Sequence, residues 1–208
     1  IHNGIGGKVY RPLVCETSDK MAPTTCYFNP KGEGKIRKAM ELYTQIYNDY
    51  RALGGYASMP TCSHDIWRLT RMNRSSAEEQ KVAITLFLTL PTPPIVYYGE
   101  EIGMRGSRGG ENTDANRRLA MLWGDDDLIR DPVGTTYSSD KQIKTTVAEQ
   151  IEDENSLYNY YCKLIAIRHK HPAIARGDYT AVDCGDKNLG GFVIYLSIYF
   201  SIPNKYPA

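Results

Sequence analysis

Apolar positions between residues 36 and 50 recur at Ile36, Met40, Tyr43, Tyr47 and Tyr50, the stepping of one face of an α-helix. Gly54-Gly55 ends that pattern. A second helix is predicted over 81–90, opened by a capping-box pair, Ser75 and Glu78, and closed by Pro91. A third starts near Asn155 or Ser156, presents Leu157, Tyr161 and Leu164 on one side, and stops at His171-Pro172. Short β-prone apolar runs lie between and before these helices, at 8–15, 26–28, 56–62 and 94–98. The last reads as a strand buried on both faces.

Strands thus alternate with helices, and polar residues collect where the strands end: Glu16 after the first, Ser63-His64-Asp65 after the third, Glu100-Glu101 after the fourth. This order predicts a parallel α/β fold, and a (β/α)8 barrel places its active site on that face. A doubly wound open sheet needs a Gly-rich phosphate turn after its first strand, and none is present. The Gly32-Glu33-Gly34-Lys35 stretch lacks the upstream Gly and the Ser/Thr of a phosphate loop. Beyond Ala175 the texture changes to a β-hairpin built on 177–184 and 192–195. The expected organisation is a barrel portion over 1–175 and the beginning of an all-β domain over 176–208.

Composition narrows the partners. Of 208 residues, 25 are Lys or Arg and 24 Asp or Glu, a net charge of +1 that argues against nucleic acid or an anionic membrane as partner. The longest apolar run, 192–202, falls short of the roughly 20 residues that span a bilayer. Sixteen Tyr against 4 Phe suit grooves that meet wet ligands such as sugars, although ordinary half-buried packing accounts better for any single Tyr. Five cysteines, an odd number with no C-x-x-C spacing, read as mostly buried thiols. No signal-peptide pattern opens the chain, and the compartment is not legible.

Four segments resemble the alpha-amylase family of glycoside hydrolases. Ser63-His64-Asp65-Ile66-Trp67-Arg68 is similar to the N-H-D-x-x-R segment that ends the family's seventh barrel strand. The run 90–104 resembles its eighth strand, L-P-G-x-P-x-x-Y-Y-G-E-E-x-G-M. Arg118, Met121 and Trp123 keep half of the R-T-P-M-Q-W loop that follows. The stretch 164–179 resembles the last barrel helix leading into a C-terminal β domain. The resemblance implies the second half of a (β/α)8 barrel, about strands five to eight, and a retaining enzyme acting on α-glucosidic bonds of starch-like glucans or maltooligosaccharides.

Residue by residue, the resemblance makes Asp65 the carboxylate that binds sugar hydroxyls as the transition state forms, and His64 and Arg68 substrate-binding residues. Glu16 is matched to the general acid at the end of the fifth strand, the alternative being an exposed loop carboxylate. The residues between it and Cys26 leave little room for the intervening helix. The family's nucleophile motif, G-x-R-x-D, does not occur in this sequence, and Ser63 stands where the family has Asn. The first half of the barrel is therefore expected before Ile1, and the isolated chain is expected to be inactive. A glucosyl transferase or isomerase of the same family, or a non-catalytic relative used for binding, are the alternatives.

No cofactor is evident. The family admits calcium, but Asp125-Asp126-Asp127 lacks the spaced ligands of a calcium loop and reads as a solvated turn. Cations at 168–171 read as complements to a helix C-terminus rather than metal ligands. At least one of Glu100 and Glu101, which point opposite ways on a strand end, is expected to be structural.

Overall fold

The computed structural model describes residues 4–5, 8–9, 36–56, 59–60, 62–64, 68–70, 76–126, 128–186 and 188–196. The 26–28 run, Glu16 and Asp65 lie outside the described residues. Two short strands, β1 (Gly4–Ile5) and β2 (Lys8–Val9), pair antiparallel, which departs from the parallel arrangement expected around residue 8.

Helix α1 (Ile36–Ala52) forms where the periodicity places it, and Leu53 and Gly54 turn the chain out of it, Gly54 at φ +73°. After it comes the unit that defines the fold: β3 (Met59–Pro60), α2 (Ala77–Thr89) and β4 (Pro94–Ile95), with β3 and β4 parallel in register Met59 to Pro94. Parallel neighbours need a crossover, and α2 supplies it. Its capping box sits one residue later than expected: Ser76 accepts from Glu79 N at 3.2 Å while Glu79 accepts from Ser76 N at 3.1 Å. Both Ser-x-x-Glu frames exist in the sequence, so the pattern alone fixes the cap only to within one position. The strand is shorter than the apolar run, and Ile95 and Val96 are 42% and 37% exposed rather than buried on both faces.

Helix α4 (Leu157–Lys170) turns Leu157, Tyr161 and Leu164 onto α2, where they share a buried cluster with Ile84, Phe87 and Leu88. Arg168 joins the two helices a second way. Its guanidinium donates to the carbonyls of Leu88, Leu90 and Thr92 at 3.0, 2.9 and 2.7 Å, capping the C-terminus of α2 across the interface. The cation therefore serves a neighbouring helix and not only the end of its own.

Between β4 and α4 the chain makes short 3₁₀ turns at Glu100–Ile102, Glu111–Thr113, Ala115–Arg117 and Ser139–Lys141 and a helix, α3 (Val147–Glu152). A second cluster, Ile102, Met104, Leu119, Met121 and Val147, holds this region together. Short helix α5 (Pro172–Arg176) leads into the expected hairpin, β5 (Asp178–Val182) antiparallel to β6 (Gly191–Tyr195). Tyr179 packs edge-on against Tyr43 of α1 at 4.9 Å between ring centres, so the hairpin shares the α1 core. Of the described cysteines only Cys62 is buried; Cys162 and Cys184 are exposed, because the first follows Tyr161 onto the outer side of α4 and the second lies past the end of β5. No helix among the described residues is long and apolar enough to cross a membrane.

Candidate active site

Both parallel strands run toward the same rim. Ser63 and His64 lie just past the end of β3, and Tyr97 to Glu100 just past β4. Gly99 makes the second turn possible: at φ +83° it occupies the left-handed region, and a Cβ there would lie 2.5 Å from Met104 Sδ. The turn places Glu100 on a 3₁₀ helix rather than a strand end, and drives its carboxylate inward.

There it meets Arg68. Arg68 Nη1 and Glu100 Oε1 are 3.9 Å apart with side chains 0% and 1% exposed. Arg68 also donates to Tyr98 O at 2.7 Å and Arg117 O at 3.4 Å, and its guanidinium lies 4.9 and 5.0 Å from the ring centres of Tyr97 and Tyr98. Glu100 Oε1 accepts from Leu69 N at 3.4 Å. Burial pushes the Glu100 carboxyl above the usual glutamate range, with Arg68 pulling the other way. Burial, then Glu100, push the Cys62 thiol well above the cysteine range, which makes it a poor nucleophile.

His64 is exposed, and its carbonyl accepts from Arg117 Nη1 at 3.3 Å. Two guanidinium groups thus stitch the segment around His64 to the chain that follows β4. Arg68, expected to touch substrate, has no exposed side-chain surface; it is consumed by Glu100 and two carbonyls and supports the rim from beneath. Glu100 is the structural member of the Glu100-Glu101 pair. The pairing of Arg68 with Glu100 and the grip of Arg117 on His64 were not read from the sequence. The one available signal was a charged residue inside each of two apolar motif segments. No cluster of His, Cys, Asp and Glu among the described residues would hold a metal ion.

A parallel βαβ unit with its polar residues gathered beyond the strand C-termini is the architecture of a barrel enzyme's catalytic face. Residues 21–177 match the family model described as alpha amylase, catalytic domain, and the chain belongs to that family of glycoside hydrolases. It is 35% identical over 158 residues to alpha-amylase SusG of Bacteroides thetaiotaomicron, covering 76% of this chain and 21% of that protein. It is 31% identical over 136 residues to alpha-amylase 3 of Dictyoglomus thermophilum, covering 64% of this chain and 26% of the relative. Among solved structures, Eubacterium rectale Amy13B superposes with a TM-score of 0.65 at 28% identity, over 83% of this chain and 35% of that one. The chain thus spans about a fifth to a third of the length of these relatives, and what it carries is part of a TIM barrel.

Proposed function

We propose that the chain carries part of the active site of a retaining α-glycosidase acting on starch-like glucans or maltooligosaccharides. The observation that carries this reading is the position of His64: exposed beyond the end of β3, with its backbone gripped by Arg117 and anchored from below by the Arg68 and Glu100 pair. A rim residue held that firmly suits binding energy directed at one sugar ring.

In this reading Asp65, next to His64, accepts hydrogen bonds from hydroxyls of the ring as it flattens, and His64 donates to the same sugar. Glu16 gives its proton to the glycosidic oxygen as a second carboxylate attacks the anomeric carbon, and afterwards takes a proton from the water that releases the sugar. The attacking carboxylate comes from outside these 208 residues, since G-x-R-x-D is absent from them. Arg68 acts as a support and not as a ligand. The β5 and β6 hairpin is read as the beginning of a C-terminal β domain.

Hydrolysis of maltoheptaose and p-nitrophenyl α-glucoside by the 208-residue chain tests the division of roles. Turnover at the background level is expected. Robust turnover abolished by Asp65→Asn would place a nucleophile within this chain and overturn that part of the reading.

A further inference from the structure

Away from the β3 and β4 rim, the segment after Met104 and the segment around Ser139–Lys141 face each other across a cleft of about 630 Å³. That volume falls in the range of small-molecule sites. Arg105, Ser107, Tyr137, Ser138, Asp140 and Lys141 line it.

Each side is pinned by an amide side chain. Gln142 accepts from Arg105 N at 2.7 Å and returns a hydrogen bond from Nε2 to Arg105 O at 2.9 Å. Asn116, itself buried, accepts from Thr136 N at 2.7 Å and donates from Nδ2 to Thr136 Oγ1 at 3.0 Å. The two amides act as strand partners would, and they hold the cleft open in one shape, which lowers the ordering cost of binding. Gly106 lies between them: a Cβ there would come within 2.7 Å of Asn116 O and 3.4 Å of Arg68 Cδ, so the cleft backs onto the support of the His64 rim.

The lining chemistry selects a ligand class. Hydroxyls of Ser107, Ser138 and Tyr137 can both give and accept hydrogen bonds. Asp140 would repel a phosphate-type anion, and Arg105 with Lys141 would repel a cation. Half-buried Tyr137, whose ring packs on the second cluster, offers an apolar face beside these polar groups. Mixed donors and acceptors, opposed charges and one aromatic face suit a neutral polyol that has a polar edge and an apolar ring face.

We propose that this cleft binds sugar units of an α-glucan chain, an inference that rests on the glycosidase reading above. Calorimetric titration of the 208-residue chain with maltoheptaose tests it, using Asp140→Ala and Lys141→Ala at exposed positions of the cleft, where truncation is expected to cost little stability, His64→Ala at the rim and Glu152→Ala as a control. The expected result is a Kd weakened about tenfold by each cleft substitution and changed less than about twofold by Glu152→Ala, an exposed position outside both the cleft and the His64 rim. Unchanged binding in both cleft variants, or no binding of maltoheptaose by the native chain, overturns the cleft. Binding lost only in His64→Ala overturns the cleft while leaving the glycosidase reading in place, and that reading fails separately if Asp65→Asn leaves hydrolysis intact in the product of the complete reading frame.

Discussion

The guanidinium of Arg68 and the carboxylate of Glu100 approach to 3.9 Å with neither side chain in contact with solvent. Two charges out of water are tolerated only when they find partners, and here Arg68 Nη1 and Nη2 also donate to the carbonyls of Tyr98 and Arg117. Removing one member strands the other. Arg68→Met is expected to cost roughly 3–5 kcal/mol in urea unfolding, and adding Glu100→Gln in the same chain should recover part of that loss. Strictly additive losses would show that the two groups are not coupled.

The same pair sets a pH dependence. Burial raises the Glu100 carboxyl, so the folded chain holds this proton more tightly than the unfolded chain does. Its contribution to stability is fully present below the unfolded value, about 4.3, and is lost as pH rises through the higher folded value. Glu100→Gln keeps the shape of the protonated acid without the titration. The variant should therefore gain stability relative to the native chain as pH rises from about 4 towards 7 in urea titrations. A difference that stays flat across this range would mean Glu100 ionises as it does in water.

Arg168 ties α4 to α2 through three carbonyls at 2.7 to 3.0 Å. Arg168→Met takes this donor from all three, although Leu90 O keeps the amide of Thr92 at 2.8 Å, and is expected to cost about 2–4 kcal/mol. Arg168→Lys should restore less than half, because one ammonium does not span the fork of a guanidinium. Full restoration by Lys would reduce the contact to charge alone.

Thiol accessibility checks the packing independently. A brief maleimide pulse on the native chain, read by peptide mass spectrometry, should label Cys162 and Cys184 and spare Cys62 until the chain is unfolded. Rapid native labelling of Cys62 would contradict its place beneath the rim.

Much of this architecture was legible in the sequence. The apolar stepping of α1 and the Leu157, Tyr161, Leu164 face of α4 are local signals, and local periodicity survives in the fold. Helix α3 was missed because Val147–Glu152 is too short to show a period, although Thr146 and Glu149 form a capping box that marks its start. The motif segments placed His64 at a rim, yet their inner wiring was illegible. That Arg68 meets Glu100, that Arg117 holds His64, and that Arg168 caps another helix are tertiary facts between residues far apart in sequence. Residue type showed only that each charge would need a partner.

Hydrolysis of maltoheptaose by the product of the complete reading frame, with the anomer of the first product followed by NMR, tests the retaining chemistry and the role of Asp65 together. Release of the α-anomer is expected, with a loss of about a hundredfold to a thousandfold in kcat/KM on Asp65→Asn, the scale of removing an interaction made chiefly in the transition state. Inversion to the β-anomer, or an Asp65→Asn variant as active as the native protein, would contradict that expectation.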